Sequence, residues 1–157
     1  MRGYVAIGIN EPRKAANIGA LWRSAHSFEV ALMFTIGGDR YRRHATDTTD
    51  AAKHVPCIAY PDFGTFQAAR PQGATLVCIE TTGKDSLYDF MHPESAVYLL
   101  GSEDKGLPEE VIRFASSVVR VDVPLCLNVA TTGAIVLYDR AQKDRRYRPR
   151  SVPVQAA

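Results

Sequence analysis

Cysteine is scarce in this chain, and its three copies, Cys57, Cys78 and Cys126, stand far apart with no Cys-x-x-Cys pair. An odd, scattered set with Cys57 and Cys78 inside apolar runs describes reduced core thiols, and excludes a disulfide framework or a zinc site. Long apolar runs are missing too. Tyr4–Ile9 and Ala31–Ile36 fall far short of the roughly 20 residues that cross a bilayer, so no transmembrane helix is expected. Met1-Arg2-Gly3 leads straight into a strand-like run without an apolar h-region, which reads as no secretory signal and a cytoplasmic protein. There is no Gly-x-Gly-x-x-Gly after the first strand and no Gly-x-Ser-x-Gly elbow. Gly101 and Gly106 copy the glycine spacing of a P-loop, but Leu107-Pro108 stands where lysine and serine or threonine must reach phosphate and magnesium. The four histidines, His26, His44, His54 and His92, show no ligand spacing, so no metal is expected.

What is present describes one globular domain. The chain has 157 residues, 46% of them hydrophobic and 23% charged, close to an average soluble protein. Residues 1–143 read as a single domain and 144–157 as a basic tail. The net charge of +2 is unevenly spread, because six Lys/Arg and one acid follow from Arg140 onward. A second basic cluster, Arg40-Tyr41-Arg42-Arg43-His44, interleaves an aromatic with cations, as phosphate contact and base stacking require. Each cluster alone is equally well a solvated loop or tail.

Strand-length apolar runs recur at Tyr4–Ile9, Ala31–Ile36, Val55–Tyr60, Thr75–Glu80, Ala96–Leu100 and Val118–Val123. Several are nearly continuous, as parallel strands covered on both faces tend to be. Helical spacing lies between them: Ile18, Leu21, Trp22, Ala25 and Phe28 form one stripe of a helix over Asn17–Phe28, with Asn17, Arg23 and Ser24 away from it. Further helices are expected over Phe63–Ala69, Pro108–Phe114 with Pro108 in the first turn, and about Val129–Gln142. The fold class is α/β, a mostly parallel sheet with helices on both faces.

Polar residues cluster where these strands end: Asn17-Ile18-Gly19 with Arg23, Glu80-Thr81-Thr82-Gly83, Gly101-Ser102-Glu103, and Pro124-Leu125-Cys126-Leu127-Asn128. Ligands of open α/β sheets bind at the carboxyl ends of strands, so these loops are candidates for one crevice. Singly they are weak, since Asn17 also reads as a helix N-cap and Gly106 as a turn residue.

Together, the loops resemble the three motifs of the SpoU branch of the SPOUT RNA methyltransferases: Asn17-x-Gly19-x-x-x-Arg23, Leu99 to Pro108, and Val123 to Ala130. The resemblance spans Tyr4 to about Asp139. It implies S-adenosylmethionine as cofactor, a ribose 2′-hydroxyl of tRNA, or less favourably rRNA, as acceptor, a deep C-terminal trefoil knot, and a homodimer. Trp22 and Tyr138 are the candidate dimer anchors. One departure stands out: where the family has a longer loop with Ser-Leu-Asn or Ser-Met-Asn, this chain has Cys126-Leu127-Asn128.

By that resemblance the cofactor lies among Glu80, Thr81, Leu100, Gly101, Val123, Leu125, Cys126 and Leu127, while Asn17, Arg23, Glu103 and Asn128 serve the reaction. Arg23 is assigned to the RNA, as a phosphate clamp ahead of a base, because a guanidinium of pKa above about 12 holds its proton too tightly. Glu103 is expected to pair with Arg23. RNA phosphates are assigned to Arg40, Arg42, Arg43, Arg145, Arg146 and Arg148. Two alternatives stand beside this reading: a knotted RNA-binding protein without turnover, and an unrelated flavodoxin-like nucleotide binder.

Overall fold

The computed structural model describes residues 3–37 and 51–144. Seven strands, β1 (Val5–Asn10), β2 (Leu32–Ile36), β3 (Cys57–Tyr60), β4 (Thr75–Ile79), β5 (Asp85–Ser86), β6 (Ala96–Leu100) and β7 (Ser117–Arg120), form one sheet in the order β3-β2-β1-β6-β4-β7-β5. Every pairing is parallel. This is not the 2-1-3-4-5 order of flavodoxin, which removes that alternative.

Both faces are covered, and the period of two along each strand divides the residues between two cores. Val5, Ile7 and Ile9 of β1 and Tyr98 and Leu100 of β6 point towards α1 (Ala15–Ser27) and α4 (Val129–Lys143). Ala6, Val97, Leu99, Leu76 and Cys78 point to the other side, under Phe66 of α2 (Phe63–Ala69) and Val111 of α3 (Glu109–Ile112). Helix α4 crosses α1 so closely that a Cβ on Gly133 would stand 2.4 Å from Leu21 Cδ1. Burial raises the thiol of Cys57 to about 11 and that of Cys78 to about 12, so both stay protonated.

The structure departs from the sequence reading in several places. Helix α1 begins at Ala15 with Lys14 at its N-cap, so Asn17 is not a cap, and it is buried although it lies off the apolar stripe. Pro108 is the N-cap of α3 and not a residue of its first turn. Strand β7 stops at Arg120 instead of Val123, because the pairing with β4 ends at Val119 and that with β5 at Arg120. A γ-turn bond from Val123 N–H to the Val121 carbonyl, 3.0 Å, then turns the chain out of the sheet. The short β5 and a 3-10 turn at Ala51–Lys53 carry too few residues for a periodic signal. Trp22 is core: it is buried, and its Nε1 donates to the Val55 carbonyl at 2.8 Å.

Candidate active site

A cavity of about 490 Å³ opens at the carboxyl ends of β4, β6 and β7. That size falls within the roughly 300–1,000 Å³ of small-molecule sites. One wall is Ile79–Thr81, the second Leu100–Glu103 with Gly106, and the third the stretch from Val121 to Val129 apart from Pro124. Apolar side chains and exposed backbone alternate with three carboxylates, Glu80, Glu103 and Asp122, and two cations, Lys14 and Arg120.

The second wall is built as a narrow turn. Ser102 and Gly106 exchange backbone bonds, Ser102 N–H to the Gly106 carbonyl at 3.2 Å and Gly106 N–H to the Ser102 carbonyl at 3.0 Å. Gly106 has φ +66, a left-handed conformation suited to glycine. The Glu80 carboxylate fastens this turn to β4, accepting from Leu107 N–H at 2.8 Å and from Thr81 N–H at 2.9 Å. Gly101 is required by the turn itself, since a Cβ there would stand 2.4 Å from the Gly106 carbonyl carbon and 2.6 Å from Leu107 N.

A chain of side-chain amides joins the three loops. Asn128 caps α4 through Oδ1, which accepts from Ala130 N–H at 2.9 Å and Thr131 N–H at 3.4 Å. Its Nδ2 is thereby left to donate to Asn17 Oδ1 at 3.0 Å. Asn17 Nδ2 then donates to Glu103 Oε1. Partial burial pushes the Glu103 carboxyl up, but bonds from its own N–H, Asn17 and Arg13 N–H and the charge of Lys14 outweigh it, leaving Glu103 below the usual carboxylate range. The carboxylate thus orients the amides as an ion.

All eight residues assigned to the cofactor line the cavity, with Glu103 and Asn128. Asn17 stands behind that wall. Arg23 is exposed on α1 and is not part of the lining, and Glu103 turns to Asn17 and Arg13 N–H where a pair with Arg23 was expected. Arg40, Arg42, Arg43, Arg145, Arg146 and Arg148 lie outside the described residues. Arg140 and Lys143, counted in the positive excess that begins at Arg140, turn inward. Arg140 is buried and donates to the carbonyls of Pro93 at 2.6 Å and Glu94 at 2.7 Å, and Lys143 Nζ pairs with Asp139 at 2.8 Å. The sequence reading missed Lys14, Arg120 and Asp122. The last two lie within the stretch Val118–Val123, and the strand expected there concealed their role.

The order of these loops and their convergence on one cavity agree with a family model described as the SpoU rRNA Methylase family, which matches residues 4–138. The chain belongs to this family. A tRNA (cytidine(34)-2'-O)-methyltransferase of Ancylobacter novellus is 32% identical over 147 residues, covering 85% of this chain and 89% of that protein. Among solved structures, the SpoU methyltransferase AviRb of Streptomyces viridochromogenes in complex with AdoMet superposes with a TM-score of 0.83 at 20% identity, over 94% of this chain and 60% of that one. A structure described for 2-OH methylation of C/U34 on tRNA gives 0.76 at 23% identity, over 88% and 94%. These likenesses show the shared fold. Among the described residues no helix is long and apolar enough to cross a membrane, and no group of His, Cys, Asp or Glu is placed to hold a metal ion.

Proposed function

We propose that this member of the SpoU family transfers a methyl group from S-adenosylmethionine to a ribose 2′-hydroxyl of tRNA, at the wobble nucleotide 34. The observation that carries the reading is the Asn128–Asn17–Glu103 chain, which holds all three motif loops around one cavity. The cavity fits the cofactor in size and donor set, because backbone groups and the side chains of Leu100, Val123 and Leu125 offer a slot for an adenosine. Its three carboxylates against two cations suit a ligand that carries a sulfonium. S-adenosylmethionine supplies an electrophilic methyl group when bound, so the protein is left mainly to position the acceptor.

Leu100, Gly101, Val123 and Leu125 hold the adenosine, and Cys126 and Leu127 close the far side. Glu103, kept ionised, orients Asn17. Arg23 outside the cavity clamps an RNA phosphate and sets the ribose against the mouth. Position 34 is the nucleotide in the name of the Ancylobacter novellus relative. The family assignment also supports a C-terminal knot, and the chain is read as a homodimer. With Trp22 in the core, the dimer rests on Tyr138, 56% exposed on α4.

Cys126 favours one second reading, RNA binding without turnover, because a thiol is a weaker hydrogen-bonding group than the serine hydroxyl of the family motif. Mass spectrometry of tRNA from a deletion strain and its parent decides between them. The enzyme reading expects loss of a 2′-O-methyl at position 34, and unchanged tRNA modification overturns it.

A further inference from the structure

We propose that Arg120 is a positioning residue for the cofactor, fixing the distance between the turn that follows Thr81 and the segment that leads into Val123. The inference rests on the methyltransferase reading and adds a residue that neither the motifs nor the sequence pattern marks. Arg120 ends β7, where its backbone carbonyl accepts from Leu87 N–H at 2.8 Å. Its side chain lines the cavity and bonds to two separate segments. Nη1 donates to the carbonyls of Gly83 at 2.9 Å and Lys84 at 2.8 Å, holding the turn that follows Thr81. Nε donates to Asp122 Oδ1 at 2.8 Å, holding the segment that leads into Val123. Ser86 adds a hydroxyl bond to the other oxygen of Asp122, and Ser86 and Arg120 hold that carboxyl below the usual range, so it remains an ion.

The geometry gives Arg120 a task that packing alone does not perform. Gly83 already lies so close to β7 that a Cβ would stand 2.6 Å from the Val119 carbonyl carbon, so the turn is anchored at its base. What the guanidinium adds is a fork between two limbs that share no ladder bond beyond Ser86 and Arg120. Arg120 is also a wall common to the cofactor cavity and to a neighbouring hollow of about 550 Å³ lined by Lys84, Ser86, Phe90 and Met91. Truncating it therefore opens the adenosine slot sideways to water as well as releasing both limbs.

The test is calorimetry of S-adenosylmethionine on the full chain, with steady-state methylation of tRNA, for the wild type, Arg120→Gln, Arg120→Lys and Asp122→Asn. Arg120→Gln is expected to weaken cofactor binding by about tenfold or more and to raise the cofactor KM in step, while kcat at saturation stays within about threefold. Arg120→Lys recovers part of the affinity, because an ammonium reaches one carbonyl but cannot make the fork. Cofactor affinity within about threefold of wild type in Arg120→Gln, a fall in kcat at unchanged KM, or no recovery with lysine overturns the proposal. If Arg120→Gln loses its cooperative thermal transition, the exposed Asp122→Asn decides, and an unchanged Kd there overturns it too. A wild-type chain that binds no S-adenosylmethionine overturns the methyltransferase reading as well, which separates the two failures.

Discussion

Asn128 and Asn17 stand 111 positions apart, and a hydrogen bond of 3.0 Å from Asn128 Nδ2 to Asn17 Oδ1 joins them. Because Asn128 Oδ1 is already taken as the α4 cap, the amide has one orientation, and it passes that orientation through Asn17 to Glu103. Asn128→Ala removes both cap and bridge and is expected to cost about 2 kcal/mol of stability, roughly half from each. Asn128→Asp keeps the cap acceptor but sets a carboxylate against Asn17 Oδ1. It should remain folded in chemical denaturation while methyl transfer falls by about tenfold or more.

Arg23→Ala should abolish methylation and leave S-adenosylmethionine affinity within about threefold, since Arg23 does not line the cavity. Calorimetry beside a turnover assay checks this. A tenfold loss of cofactor affinity would move Arg23 from the RNA to the cofactor.

Gly101→Ala sets a Cβ against the backbone of Gly106 and Leu107, which have no flexible end to give way. The expected cost is about 1–3 kcal/mol, the range of overpacking in a tight core, read as a lower denaturation midpoint. Loss of cofactor binding in this variant would accordingly follow from the turn that Gly101 builds.

Below neutral pH the protein should lose stability through His92. Arg140 Nη1 donates to the Tyr98 hydroxyl at 2.9 Å, so the Tyr98 proton goes to His92 Nδ1 at 2.6 Å, and His92 Nε2–H donates to Asp139 at 2.8 Å. This chain needs a neutral imidazole. Burial, ahead of the charges of Arg140 and Lys143, pushes His92 below its ordinary value, although Asp139 opposes the shift. The unfolded chain therefore takes up the proton first. The stability contributed is complete above about pH 6.5 and is lost as pH falls through the lower folded value. Thermal midpoints from pH 7.5 to 5 should show this loss in the wild type and a flatter profile in His92→Gln.

Removing residues 145–157 leaves α4 complete and takes away Arg145, Arg146, Arg148 and Arg150. If these cations meet RNA phosphates, the slope of log affinity against log salt should fall by about 0.7–0.9 per lost contact. Filter binding of tRNA at several salt concentrations reads it. An unchanged slope would make the tail a solvated end.

The sequence by itself determined the parts of this protein that local chemistry fixes. Continuous apolar runs mark strands that must be covered on both faces, the stripe from Ile18 to Phe28 marks a helix, and β6 and α2 fall where their patterns place them. The loops at strand ends carried the family, because their residue types and order survive without knowledge of their partners. Only the tertiary structure decided what each polar group meets. Asn17 sits off the apolar stripe yet is buried, since Asn128 and Glu103 satisfy its amide. Arg140 reads by sequence as one more cation near the basic end of the last helix, and by structure it belongs to the core, where it donates to the carbonyls of Pro93 and Glu94 and to the Tyr98 hydroxyl. Arg120 and Asp122 read as a strand until the sheet runs out of neighbours. A side chain's periodicity says which face it shares, but the partners that satisfy its hydrogen bonds come from distant positions that only the folded chain brings together.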